Sequence, residues 1–347
     1  MHLSRIHLIN FRLFSDSVFD LEETSLITGK NGSGKTSLLE AVHVLLKSRS
    51  FRTSSMNSLI NHNQDNFILN AKLEGKLLTF EKKRRNAAKN NGYKTEEYKY
   101  KNFPILINNF SLAFLESDKE IRRRFLDYFM FHVKHDYINS HRKFKKILAT
   151  RNRALKKNNE EEINIWTKLL VDEAEKITKN REEIFNKVTA KVPEFFNKLP
   201  LDERWKKIAS QLSFKFFKGW DQGELIEVLR SNFQDDMKRG FTKFGPQRFD
   251  LEINILKNKA GDVLSRGEQK LLILLTFLCF GEFISEYTEK NVFYLIDDAA
   301  AEFDEENLFL ALTSLEKVKG QKIISSIKKP ENIKSVSYTH LRAHETE

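Results

Sequence analysis

Cysteine is nearly absent from this chain: 347 residues contain one, Cys279. No intrachain disulfide can form, which excludes the small cross-linked secreted scaffolds and points to a reducing, cytoplasmic setting. Proline is scarce, with 5 residues, and glycine totals 13, so a cluster of glycines carries information. Long apolar runs are also missing. The longest, Leu271 to Phe280, is too short for a bilayer and reads as a buried helix. The N-terminus enters a strand-like run, Leu3 to Phe11, without an apolar signal core, so no membrane association is expected. Acid is in deficit. The net charge is +11, which favours a polyanionic partner such as nucleic acid, although the heavy use of lysine with Asn, Ile and Phe also fits a compositional bias. With 31% charged and 40% hydrophobic residues, the chain has a globular mix. It is long enough for one large core or two domains.

The glycines concentrate where chemistry can use them. Gly29-Lys30-Asn31-Gly32-Ser33-Gly34-Lys35-Thr36 follows the phosphate-loop pattern G-x-x-x-x-G-K-[ST], with Ser37 next. Such a loop turns its backbone N–H groups inward, and with the following helix N-terminus it binds phosphate oxygens. Lys35 adds a charge at the outer phosphates, and the Thr36 hydroxyl is a Mg²⁺ ligand in this pattern. The flanks agree. Ser25 to Thr28 reads as a buried strand, and Leu38, Leu39, Val42, Leu45 and Leu46 recur at helical spacing.

Around this loop, Leu3–Asn10 and Val18–Leu21 read as a hairpin, and Ser48–Thr53 as a polar loop. Phe67–Leu73 and Lys76–Phe80 read as strands joined at Glu74-Gly75, with a further turn at Asn91-Gly92. Lys82 to Arg85 reads as a solvated strand end. From about Lys119 the spacing becomes helical through Phe129, then from Phe144 to Leu155 and from about Glu161 to Val192. This block is dense in Arg and Lys, including Arg142, Lys143, Lys145 and Lys146, and fits either a nucleic-acid surface or a solvated lysine-rich face. Strand character returns at Arg248–Leu256. Val292 to Ile296 is a buried strand pattern that runs into Asp297 and Asp298. Parallel strands present ligands at their carboxyl ends, so Asp297 can meet the Mg²⁺ held by Thr36, and Asp298 can orient or deprotonate the attacking water. Lys35 and Asp297 are separated by most of the chain, so strands and a helical lobe must be inserted between them. A last strand is expected at Lys322–Ser325. Ser326 follows it, where many related ATPases carry histidine.

Taken in order, these motifs resemble the RecF family, bacterial DNA-repair ATPases of the ABC/SMC-like class. The resemblance rests on Asn10-Phe11-Arg12, the loop continued through Leu39-Glu40-Ala41, Ser50-Phe51-Arg52, Arg123 to Asp127, and Arg151 to Leu155. Gly245-Pro246-Gln247-Arg248, Leu264-Ser265-Arg266-Gly267 as the signature, and Ile296-Asp297-Asp298 with Ala300, Glu302 and Asp304 complete it. It implies an α/β fold, an ABC/SMC-like P-loop ATPase head with mixed sheets and an inserted helical lobe. The expected division is 1–117 and 236–336 for the ATPase lobe and 118–235 for the insertion. Residues 337–347 resemble a translated sequencing adapter and are set aside, with the authentic chain expected to end near Val336.

The resemblance further implies ATP and Mg²⁺ as cofactors, with Arg12 beside the nucleotide and Ser265 and Gly267 of one protomer facing the γ-phosphate on its partner. It implies an ATP-dependent homodimer on single-stranded and gapped DNA and slow hydrolysis through Asp298, acting with RecO and RecR to load RecA. Departures are the segment Asn108–Glu120, which lacks the usual Pro, and Ala301 in place of a common Ser. An SMC-like tether would need far longer coiled coils than Lys119 to Asn232 supplies. A transporter ATPase would not need the basic insertion.

Overall fold

The computed structural model describes residues 2–84, 89–91, 101–116, 119–298, 303–326 and 337–340. Gly92, Arg85, Ala300, Ala301, Glu302, Val336 and the last residues of the tail lie outside that set. The chain divides into two compact units, Met1–Leu112 with Asn197–Leu201 and Leu264–Glu347, and Ala113–Phe196 with Asp202–Val263.

The first unit holds two sheets. One is antiparallel, with strand order β2-β1-β4-β5-β6, built from β1 (Leu3–Phe11), β2 (Phe14–Asp20), β4 (Asn66–Leu73), β5 (Lys76–Lys83) and β6 (Lys89–Asn91). Glu74 and Gly75, both at positive φ (49° and 77°), turn β4 into β5 as the sequence predicts. The other sheet is parallel, in the order β13-β3-β12-β11-β7. Its strands are β3 (Thr24–Thr28), β7 (Asn102–Ile107), β11 (Asn291–Ile296), β12 (Gln321–Ser326) and β13 (Ser337–His340). Strand β7 adds to the strands expected from sequence; Pro104 lies inside it, where proline is tolerated because β7 is at the edge of the described sheet. The segment set aside as adapter-like enters the sheet in part, since Ser337–His340 pairs with β3.

Helix α1 (Lys35–Lys47) packs against strands of both sheets. Its Leu38, Leu39, Val42, Val44, Leu45 and Leu46 join Leu8 and Phe67 of one sheet and Phe293 and Ile323 of the other in a single core. Helix α9 (Arg266–Thr288) extends well beyond the apolar run seen in sequence. It is the one helix among the described residues long and apolar enough to cross a membrane. It packs instead on β7, β11 and α10 (Glu305–Lys317), buried without interruption from Gly267 to Gly281, which is why apolar residues cover its whole circumference.

The second unit contains helices α2 (Lys119–Val133), α3 (Tyr137–Lys156), α4 (Glu160–Lys198), α5 (Glu203–Gln211), α6 (Leu225–Ser231), α7 (Phe233–Arg239) and α8 (Ala260–Val263). It also holds a small antiparallel sheet, β10-β9-β8. The expected insertion ended near residue 235, but the unit runs to Val263. The strand expected at Arg248–Leu256 is β9 (Asp250–Ile255). It pairs with β8 (Leu212–Phe217) and β10 (Asn258–Lys259), not with the ATPase sheet. Buried arginines explain this. Arg122 forms two hydrogen bonds to Asp250, at 2.7 and 3.2 Å, and Arg181 donates to the Pro246 carbonyl at 2.8 Å. A charge removed from water needs its partner, so these contacts tie β9 to the helices.

Candidate nucleotide-binding site

Strand β3 ends at Thr28, and α1 begins seven residues later at Lys35. Gly34, the residue before the helix, has φ 99°, a left-handed conformation that suits glycine. A Cβ there would meet Phe14 Cζ at 2.6 Å, so the residue is required for space as well. No side chain caps α1, and no acid stands in its first turn. Its leading amides and positive dipole end are therefore left to an anion. Ser33 Oγ is buried and has no partner among the described residues, an orphan that a phosphate oxygen would satisfy. Lys35, itself buried, folds back across the loop, with Nζ donating to the Gly29 and Lys30 carbonyls at 2.7 and 2.9 Å.

The opposite wall comes from β11 and β12. Strand β12 lies between β3 and β11, and all three run parallel, so Thr28, Ser326 and Ile296 end at the same edge. Thr36 Oγ1 faces both carboxylate oxygens of Asp297 at 3.0 Å, across 261 positions of sequence. Ser325 Oγ donates to Asp297 Oδ1 at 2.8 Å and accepts from the Asp298 N–H at 2.8 Å. Asp298 turns left-handed, at φ 55°, and its carbonyl accepts from Lys270 Nζ at 3.0 Å. Its Oδ1 is buried and has no partner among the described residues. A cleft of about 310 Å³ lies between these walls, lined by Leu13, Asn31, Gly32, Gly34, Lys35, Thr36, Ser37, Arg52, Asp297, Asp298 and Ser325.

Thr36 and Asp297 place hard oxygen donors side by side, the ligand chemistry of Mg²⁺ beside phosphates. Among the described residues no group of three or more His, Cys, Asp or Glu is placed to hold a metal by itself. That fits a cation which borrows most of its ligands from nucleotide and water.

Most of the residues singled out in sequence converge here, but three do not. Arg12 forms a bidentate pair with Glu40, at 2.8 and 2.9 Å, and also donates to the Ser58 carbonyl. Glu40 is fully buried in α1 and draws the guanidinium into the scaffold behind the loop. Arg52 lines the cleft instead, and its position after Ser50-Phe51 was its only sequence signal. Ser265 and Gly267 do not line the cleft among the described residues. Ser265 caps α9 in a reciprocal box with Glu268, its N–H donating to Glu268 Oε2 at 2.9 Å. At the end of β12 the hydroxyl that reaches the Asp297 carboxylate is Ser325, not Ser326, since neighbouring strand residues point to opposite faces.

Residues 2–346 match the family described as RecF/RecN/SMC N terminal domain. The DNA replication and repair protein RecF of Chromohalobacter salexigens is 34% identical over 319 residues, covering 88% of this chain and 86% of the relative. The chain belongs to the RecF family. RecF of Francisella tularensis subsp. tularensis is 32% identical over 340 residues, covering 95% of both chains. A solved structure described as the recombination mediator protein RecF-ATP in the RecFOR pathway superimposes with a TM-score of 0.75 at 23% identity. It covers 96% of this chain and 93% of its own. Its RecF-ATPrS counterpart gives 0.78 at 22% identity, covering 99% and 96%. The fold is that of an ABC/SMC-like ATPase head, and it places the family's loop, signature and carboxylate motifs in the first unit.

Proposed function

We propose that the chain is an ATP-binding DNA replication and repair protein that binds ATP with Mg²⁺ in the cleft and, so loaded, dimerises on DNA. The observation that carries this reading is the meeting of Thr36 with Asp297 beside an uncapped, acid-free helix N-terminus. In this reading the loop amides and Lys35 hold the phosphates, while Thr36 and Asp297 hold Mg²⁺, which neutralises phosphate charge. Asp298, whose Oδ1 has no partner among the described residues, accepts the proton of the attacking water. Ser265 and Gly267 complete the site on the partner protomer, which agrees with their absence from the cleft of their own chain. Arg12 acts through Glu40 as part of the loop's support.

The relatives' role in replication and repair supports the same role here, and the structural neighbour's place in the RecFOR pathway supports RecO and RecR as partners. On that basis we place the chain in the cytoplasm, at single-strand gaps beside duplex DNA, hydrolysing ATP slowly and assisting RecA loading. The test is DNA binding by fluorescence anisotropy on gapped duplex, with and without ATP and Mg²⁺. Wild type should bind more tightly with ATP. Lys35→Ala should lose nucleotide affinity by about 10- to 100-fold, the worth of charge-assisted bonds to phosphate, and lose the ATP effect with it. DNA affinity indifferent to ATP in wild type would overturn the reading.

A further inference from the structure

We propose that Ser325 is a positioning residue that holds the side chain of Asp297 and the backbone of Asp298 together and thereby sets how tightly the cleft takes Mg²⁺ with nucleotide. The inference rests on the nucleotide reading above and concerns a residue that no sequence motif marked.

The argument starts from one hydroxyl. Ser325 is completely buried on β12, between the strand that launches the phosphate loop and the strand that ends in the two acids. A serine hydroxyl has one proton to give and lone pairs to accept with. The Asp298 N–H can only donate, so Ser325 Oγ accepts there, at 2.8 Å. Its own proton then goes to Asp297 Oδ1, also at 2.8 Å. One atom thus couples the carboxylate of the first acid to the main chain of the second.

Thr36 shares that carboxylate only conditionally. When its oxygen serves as a cation ligand through a lone pair, its bond to Asp297 depends on where the cation sits. Ser325 donates to Asp297 whether or not Thr36 does, an outer contact that orients a ligating carboxylate. Asp298 needs a similar restraint. Its left-handed φ of 55° is disfavoured for a residue with a Cβ. Ser325 holds it at the N–H and Lys270 at the carbonyl. Held at both ends of its backbone, the residue keeps its place on the cleft wall. A serine that merely filled a polar gap would contribute to stability and leave Mg²⁺ dependence alone.

The experiment uses the full chain with Ser325→Ala and Ser325→Thr. Binding of a fluorescent ATP analogue is titrated with Mg²⁺ at fixed nucleotide, and in EDTA, with thermal melting of the ligand-free protein alongside. Ser325→Ala should raise the Mg²⁺ concentration for half-maximal binding by about tenfold or more, the usual effect of losing such an outer contact. Binding in EDTA should stay unchanged, and Ser325→Thr, which keeps the hydroxyl, should restore the Mg²⁺ dependence. An alanine variant that melts lower but shows the wild-type Mg²⁺ midpoint overturns the proposal. If Ser325→Ala does not fold, Ser325→Cys keeps the shape with a weaker donor; an intermediate shift supports the proposal and an unchanged midpoint overturns it. Wild type that binds no nucleotide at any Mg²⁺ concentration removes the nucleotide reading, and this inference with it.

Discussion

His43 shows how far one residue's chemistry depends on where α1 is packed. Burial pushes its imidazole down to about 4, only partly countered by the hydrogen bond to the Arg49 carbonyl. Since that carbonyl can only accept, Nδ1 carries the proton at 2.8 Å. The ring is neutral in the fold, whereas an unfolded histidine titrates near 6.5. The unfolded chain therefore binds more protons between those values, and stability present above about pH 6.5 is lost as pH falls toward 4. His43→Gln keeps a donor and cannot titrate. Denaturant unfolding at roughly pH 7 and pH 5 should show the wild type losing about 2 kcal/mol more than this variant. An equal loss in both would mean that the ring is not neutralised by burial.

At the scale of elements, the family motifs of the helical lobe are chiefly its internal ties. Arg151 of α3 is wholly buried, bonded to Thr167 of α4, to Asp236 of α7 at 2.9 Å, and to Thr242. Asn152 Oδ1 accepts from both the N–H and the hydroxyl of Thr242. Arg181 of α4 reaches Asp127 of α2 and the hydroxyl of Tyr137 at the start of α3, each at 2.7 Å. Burial pushes the Asp127 carboxyl up, but hydrogen bonding from His141 and the Arg181 charge hold it well below the usual carboxylate range. Motifs that look like a basic surface in sequence are here partly a buried frame. Arg151→Met should destabilise the lobe by about 3–5 kcal/mol, because it leaves the buried Asp236 without its counter-ion. Arg151→Met with Asp236→Leu should recover most of that loss. Urea melts of both variants make the test, and equal destabilisation would show that the pair's charge is not what matters.

Across the whole molecule, the charge that remains outside is the part available to DNA. Arg142, Lys143, Lys145 and Lys146 are exposed along α3, and Lys143 alone of these is drawn to a described acid, Glu173, at 2.6 Å. Reversal of all four to Glu should weaken DNA binding and flatten its salt dependence, since each phosphate contact contributes about one unit of slope. Unchanged affinity and slope would assign them to a solvated face. Assembly is the second property at this scale. Asp298→Asn keeps the size of the side chain and removes its proton acceptor, so ATP binding should survive while turnover falls. If Ser265 completes the partner's site, this variant should accumulate as an ATP-bound dimer in size-exclusion chromatography with light scattering. Asp297→Asn should instead weaken nucleotide binding. An Asp298→Asn variant that binds ATP normally and stays monomeric at micromolar concentration would remove the shared-site mechanism.

The phosphate loop was legible from sequence alone because its demands are local. Gly34 must turn left-handed, Lys35 must follow it, and a strand and helix must flank them within a few residues. The Glu74-Gly75 turn and the apolar strand ending in Asp297 were legible for the same reason, since neighbouring residues set backbone preference and burial period. Tertiary structure alone decided the rest. Arg12 went to Glu40, β9 joined the helical unit, and Ser325 rather than its neighbour reached the Asp297 carboxylate. Each outcome depends on which distant partner relieves a buried charge or polar group. That partner is set by the order and direction of strands far apart in sequence, and the local residues do not encode it.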